Sequence, residues 1–223
     1  GLLIPEGIKN AQISNVFPLM YAALAIFAFA FVVIALTKIP ENEPAPEKKI
    51  KETSKYGPLS FRHFVLGSVA IFVYVGVEVG VPNILQKWLQ NPDLNVLGDG
   101  VNVEAIAGSV AATYWLLMLV GRLLGARVGS KGTARSMLTV VSSVGLLLTL
   151  TAMFIPEIPV NMPVFNGAEG FALVSVPLNA ALLVLVGLCT SVMWGGIFNL
   201  AVEGLGKYTE KASGIFMALV CGG

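Results

Sequence analysis

Charge in this chain is confined to short clusters, and between the clusters lie apolar runs long enough to cross a lipid bilayer. A span needs roughly 20 apolar residues. Such runs occur at 16–37, 64–86, 105–126, 136–156 and 177–201, and a sixth starts near Ala212 and stops at Gly223. The runs are apolar all round, whereas a surface helix of a soluble domain keeps one polar face. Composition agrees, because 12% of the residues are charged and soluble domains carry about 25%. The pattern predicts an all-α, polytopic transmembrane helical bundle with five full spans and the start of a sixth. The runs are too many for a signal peptide, and the first has no basic leader. The chain opens on Gly1 and closes on Cys221-Gly222-Gly223 inside an apolar run, which predicts a piece of a longer protein.

Basic residues alternate from loop to loop. Lys38, Lys48, Lys49, Lys51, Lys55 and Arg62 follow the first span, Arg127, Lys131 and Arg135 follow the third, and Lys207 and Lys211 follow the fifth. The intervening loops hold Lys87, no Lys or Arg between Phe154 and Ser175, and Lys9 at the start. The positive-inside rule then places 38–62, 127–135 and 204–211 in the cytoplasm. Trp88 falls near the outer surface, where an indole anchors a span. Residues 40–60 are rich in Pro, Glu and Lys and read as a linker between two bundles. The outer segment 156–170, with Pro156, Pro159 and Pro163, reads as an ordinary surface loop.

Several function classes lack residues to carry them. The net charge is +1, so no electrostatic footprint for nucleic acid is present. There is no Gly-rich phosphate loop and no metal-ligand spacing, so neither a metal nor another cofactor is expected. His63 is the sole histidine and lies beside Arg62 at a membrane edge, so no Ser-His-Asp arrangement is available and the chain does not read as an enzyme. Cys189 and Cys221 lie in apolar runs without paired spacing and are expected to be small buried hydrophobes.

Glu78 is the most informative residue. It lies near the middle of the second run, where a carboxylate costs a few kcal/mol on insertion scales and normally faces a partner or a watery cavity. Pro82 lacks an N–H, so the Glu78 carbonyl loses its helical donor at the same level. Gly76 and Gly80 form a small-residue ridge on roughly the opposite face, suited to close helix packing. In the fifth run Gly187, Ser191, Gly195 and Asn199 recur every four residues, with Trp194 on another face beside Thr190. An indole there needs an N–H partner and offers an apolar plane on which a sugar ring can stack. The third run ends with Gly121, Gly125 and Gly129 four apart, a smooth face for another helix. Arg122, one turn inside the cytoplasmic edge, either snorkels to water or pairs with Glu203 as a latch.

Four stretches carry a family likeness: YVGVEVGVPNIL (74–85), MLVGRLLGARVGSKGTAR (118–135), SVMWGGIFNLAVEGLGKYTEKASG (191–214) and VFPLMYAALAIFAFAFVVIALTKIPE (16–41). Together they resemble the major facilitator superfamily, and within it the fucose–galactose–glucose:proton symporters, from the sixth helix into the eleventh. The resemblance implies that 1–39 is an outer loop and the last helix of an N-terminal half, 40–62 the linker, and 63–223 a truncated C-terminal half. It implies uptake of a hexose with a coupling cation, usually a proton, by alternating access in a bacterial inner membrane. Glu78, Asn83, Trp194 and Asn199 become the expected sugar contacts, and Arg122, Arg127 and Glu203 the expected gate. The coupling acids of that family belong to the half not represented here. Gly129-Ser130-Lys131 stands where the superfamily loop often has an acid. The competing readings are an efflux antiporter of the same superfamily, whose pocket would be richer in aromatic and Met residues, and a channel or membrane scaffold.

Overall fold

The computed structural model describes residues 17–37, 57–98, 102–129, 132–166 and 170–223. The chain divides into two compact units, 1–53 and 54–223. The start of the chain, the 40–56 part of the expected linker, and Ser130 and Lys131 of the basic loop lie outside the described residues.

In the first unit, α1 (Phe17–Leu36) is a 20-residue helix without a charge in its first or last turn. At 1.5 Å per residue it is about 30 Å long, the thickness of a bilayer core.

The second unit is the helical bundle expected from the apolar runs. A short 3-10 turn (Gly57–Ser60) leads into α2 (Arg62–Leu89), α3 (Val103–Gly129) and α4 (Ala134–Phe154). α5 (Leu178–Thr190) and α6 (Met193–Val202) share one apolar run, and α7 (Thr209–Gly222) ends the described chain. Among the described residues, four helical segments, 62–89, 103–127, 134–154 and 178–202, are long and apolar enough to cross a membrane. Polar residues at the ends of the runs start these helices. Asn102 Oδ1 accepts the Ala105 N–H at 3.1 Å, and Thr133 Oγ1 accepts the Ser136 N–H at 3.2 Å, each satisfying a backbone donor the first turn leaves free.

Two differences from the sequence reading have local causes. The fifth run is not one helix but breaks at Ser191 and Val192. Thr190 Oγ1 bonds back to the Val186 and Gly187 carbonyls at 3.3 and 3.2 Å, and Ser191 Oγ to the Leu188 carbonyl at 2.6 Å. Such back-bonding competes with the helical ladder, and Gly187, Gly195 and Gly196 on either side hold the helix weakly.

The expected surface loop is instead part of a β-hairpin. β1 (Pro159–Asn166) pairs antiparallel with β2 (Gly170–Pro177), Pro159 opposite Pro177 and Asn166 opposite Gly170. Burial alternates along β2, and Val164 and Val176 are buried against the helix ends while Phe171 and Leu173 stay exposed. Thr113 Oγ1 of α3 accepts the Phe165 N–H at 2.8 Å. A two-stranded hairpin is marginal alone, so its apolar face needs this helical floor.

Two cores lie at opposite ends of the unit. Phe64, Ile71, Tyr74, Ile197, Ala201, Leu205, Ala212 and Phe216 form one. Leu85, Leu89, Ala107, Val110, Val164, Val176, Ala180 and Val184 form the other, beneath the hairpin, with Trp88 packed on it. Arg62, Arg127, Arg135, Lys207 and Lys211 therefore lie toward the first end, and the hairpin with the segment after α2 at the second.

The glycines divide into those that are covered and those that are open. A Cβ on Gly187 would meet the Tyr114 carbonyl oxygen at 2.8 Å, so α3 and α5 touch backbone to backbone there. Gly121 and Gly125 of α3 fit against Ser191 and Val192, as a smooth glycine face predicts. Gly76 and Gly80 do not behave as expected: no atom lies within 4 Å of a Cβ at either, so that ridge meets no helix among the described residues.

Candidate functional site

Midway between the two cores, α2 and the broken α5–α6 segment are both irregular, and tyrosines join the irregularities. Pro82 leaves the Glu78 carbonyl without its helical donor, and Tyr114 Oη of α3 donates to that oxygen at 3.2 Å. Tyr114 Oη also lies 3.2 Å from Thr190 Oγ1. Across the break, Tyr74 Oη donates to the Thr190 carbonyl at 3.0 Å. Both freed carbonyls are thus paired, as buried backbone acceptors in an apolar setting must be.

The Glu78 side chain turns to a cavity of about 910 Å³. Its Oε1 accepts from Arg122 Nη2 of α3 at 3.1 Å, an ion pair in which the arginine side chain is 56% exposed and the glutamate 13%. Around the pair the lining is neutral: Ser191, Val192, Trp194, Gly195, Gly196 and Asn199 from the broken segment, and Ala134 and Met137 from α4. The cavity exists because the chain there is small. Gly195 meets nothing within 4 Å.

Trp194 lines the cavity but is not free on both sides. Phe198 stacks on it at 5.6 Å and 11°, and Phe216 meets it edge-on at 6.4 Å. Asn199 is exposed and borders both the main cavity and a smaller cleft of about 550 Å³. The structure therefore brings together Glu78, Trp194 and Asn199, and adds Arg122.

Other expected site residues lie elsewhere. Asn83 is exposed, donates to the Val79 carbonyl of its own helix at 2.8 Å, and does not line the cavity. It shares the open face of Gly76 and Gly80, since three- and four-residue steps stay on one side of a helix. The expected Arg122–Glu203 latch is not what forms, because Arg122 reaches Glu78 instead. Glu203 terminates α6 and borders two clefts together with Arg135. Arg127 is exposed and outside the cavity lining. His63 is exposed, edge-on to Phe61 at 5.8 Å, and borders a cleft of about 690 Å³. Cys189 is buried as expected, whereas Cys221 is exposed near the end of α7.

Tyr74, Tyr114 and Thr190 were not singled out from the sequence as site residues. The signal was present in Pro82: a carbonyl freed in mid-span requires a donor, and tyrosines lie in the right helices to supply one.

The chain is similar to a glucose/galactose transporter of Brucella abortus biovar 1 (strain 9-941), 32% identical over 220 residues that cover 96% of this chain and 46% of that protein. The same values hold for the glucose/galactose transporter of Brucella abortus (strain 2308). A Helicobacter pylori (strain J99 / ATCC 700824) protein, provisionally named a glucose/galactose transporter, is 29% identical over 205 residues, 91% of this chain and 43% of its own. The chain thus spans about half the length of the curated relatives it matches. No family model matches it, and no solved structure does.

Proposed function

We propose, for a chain homologous along nearly its whole length to the glucose/galactose transporters, that the whole protein takes up a hexose together with a cation, most simply a proton, by alternating access. Four membrane-length helices and these relatives make it a multi-pass membrane protein. On this reading it lies in a bacterial inner membrane with the basic loops facing the cytoplasm. Residues 1–39 close an N-terminal half, 40–62 link the halves, and 63–223 belong to the C-terminal half.

The observation that carries the reading is the Glu78–Arg122 pair, placed midway along the bundle and open to a cavity. A partly exposed ion pair gains little as a stabiliser, whereas charges in a span are a usual mark of a solute path. The volume, about 910 Å³, falls in the range of small-molecule sites. Glu78 and Asn199 supply hydrogen bonds to sugar hydroxyls, and Trp194 an apolar plane. Asn83, on the opposite side of α2 and outside this cavity, would meet a sugar only from that uncovered face and is not part of the contact set around Glu78. Arg127 and Glu203 are left as gating residues at the basic end.

The test is counterflow and gradient-driven uptake by the full-length protein in sealed vesicles. Labelled glucose or galactose should accumulate only under an imposed cation gradient and should exchange with unlabelled sugar on the far side. Passive equilibration without exchange would mean a channel, and export of amphipathic compounds with no hexose uptake would mean an efflux antiporter.

A further inference from the structure

We infer that Arg122 is a specificity-determining sugar contact: with Glu78 it forms a donor–acceptor pair that reads two neighbouring hydroxyls of the hexose, instead of latching the cytoplasmic side. This rests on the reading of the cavity as a hexose site.

The geometry points there for three reasons. First, Arg122 turns away from the basic end to meet Glu78 at 3.1 Å. A snorkelling arginine would do the reverse. Second, the single Nη2–Oε1 bond leaves most of the five guanidinium N–H groups for other partners, and the carboxylate, which the Tyr74 hydroxyl also approaches, keeps lone pairs for a further donor. Arg122 is 56% exposed and lines the cavity, so part of that donor fork faces the space a solute would enter. Third, the pair contributes the only charges among the described residues of the lining, and they cancel.

A neutral pair of this kind suits a neutral polyol. A sugar hydroxyl both donates and accepts, so one hydroxyl can donate to the carboxylate while its neighbour accepts from the guanidinium. Hydrogen bonds with an ionised partner are about twice as strong as neutral ones. A site built to bond a particular hydroxyl also rejects the analogue that lacks it, because its own polar groups are then left unpaired. Trp194 and Asn199, being neutral, would discriminate less sharply.

The experiment is equilibrium binding of a series of singly deoxygenated hexoses to the full-length protein, wild type against Arg122→Gln and Arg122→Lys. In the wild type, removal of the hydroxyl read by Arg122 should weaken binding about tenfold or more. In Arg122→Gln the parent sugar should bind that much more weakly, and the same deoxy-sugar should lose no more than about twofold further. Arg122→Lys keeps the charge without the planar fork and should restore part of the discrimination at that same position. A uniform loss across the series in either variant, or an unchanged profile, would overturn the inference and leave Arg122 structural. A wild type that binds no hexose would instead overturn the transport reading on which the inference rests.

Discussion

Tyr114 Oη donates to the Glu78 carbonyl at 3.2 Å, the acceptor that Pro82 deprives of its helical partner. One proline in α2 thus creates a need that a tyrosine of α3 meets, and the bond holds α2 and α3 together at the level of the Glu78 carboxylate. The same hydroxyl touches Thr190 beside the break in the α5–α6 segment. The irregular parts of the bundle are therefore tied to each other as well as to the cavity.

Tyr114→Phe should lower the stability of the full-length protein by about 1–3 kcal/mol, the usual cost of a buried polar group left unpaired. Thermal unfolding in detergent reads it. Pro82→Ala returns an N–H to the Glu78 carbonyl, so in that background the tyrosine change should cost clearly less. Equal costs in both backgrounds would mean that the hydroxyl serves some other partner.

Gly187→Ala places a Cβ 2.8 Å from the Tyr114 carbonyl oxygen and should destabilise by about 1–3 kcal/mol as α3 and α5 are pushed apart. Gly195→Ala meets no atom within 4 Å. It should leave the melting temperature nearly unchanged while narrowing the cavity and weakening hexose binding. Parallel effects of the two substitutions on melting and on binding would contradict this division.

Trp194 has one face stacked on Phe198, so a sugar can use the other. Trp194→Ala should weaken hexose binding about three- to tenfold, the scale of one aromatic contact, and Trp194→Phe less. Isothermal titration of the purified protein with glucose and galactose measures both. No change in Trp194→Ala would assign the indole to packing alone.

Thr113→Val removes the acceptor for the Phe165 N–H. Amide exchange should quicken in 159–166 and 170–177 and stay unchanged in α4, because the hairpin is held to the helices locally. Uniform quickening across the bundle would show that the hairpin is part of the cooperative core.

The helices were legible because lipid imposes one rule, that backbone groups be satisfied within each span, and apolar runs bounded by Lys and Arg mark where it applies. α2 was expected at 64–86 and occupies 62–89. The hairpin was obscured by its prolines. Val160, Met162 and Val164 of β1 and Ala172, Val174 and Val176 of β2 face the core in alternation, but the outward positions Phe171 and Leu173 are apolar too, so no polar alternation marked β2, and Pro159 and Pro163 argued against β1; proline is tolerated at a strand start or an open edge. The break at Ser191 was obscured because the Gly187, Ser191, Gly195 and Asn199 stripe assumes one continuous helix. At the site, an acid at mid-span pointed to Glu78 directly. Its partner did not emerge, since depth along straight helices matched Arg122 with Glu203, whereas the long arginine stem carries its head about a helical turn from its Cα. The ridge of Gly76 and Gly80 stays open among the described residues, so small-residue spacing predicted a helix contact that this packing does not make.

The most direct test of the account is hexose binding by the full-length protein carrying Glu78→Gln, which keeps the side chain's shape and removes its charge. The Glu78 carboxylate, paired to Arg122 and facing the cavity, is predicted to accept a sugar hydroxyl, so glucose and galactose affinity should fall about tenfold or more. Wild-type affinity and uptake rate in that variant would contradict the claim and return Glu78 to the role of a buried structural partner.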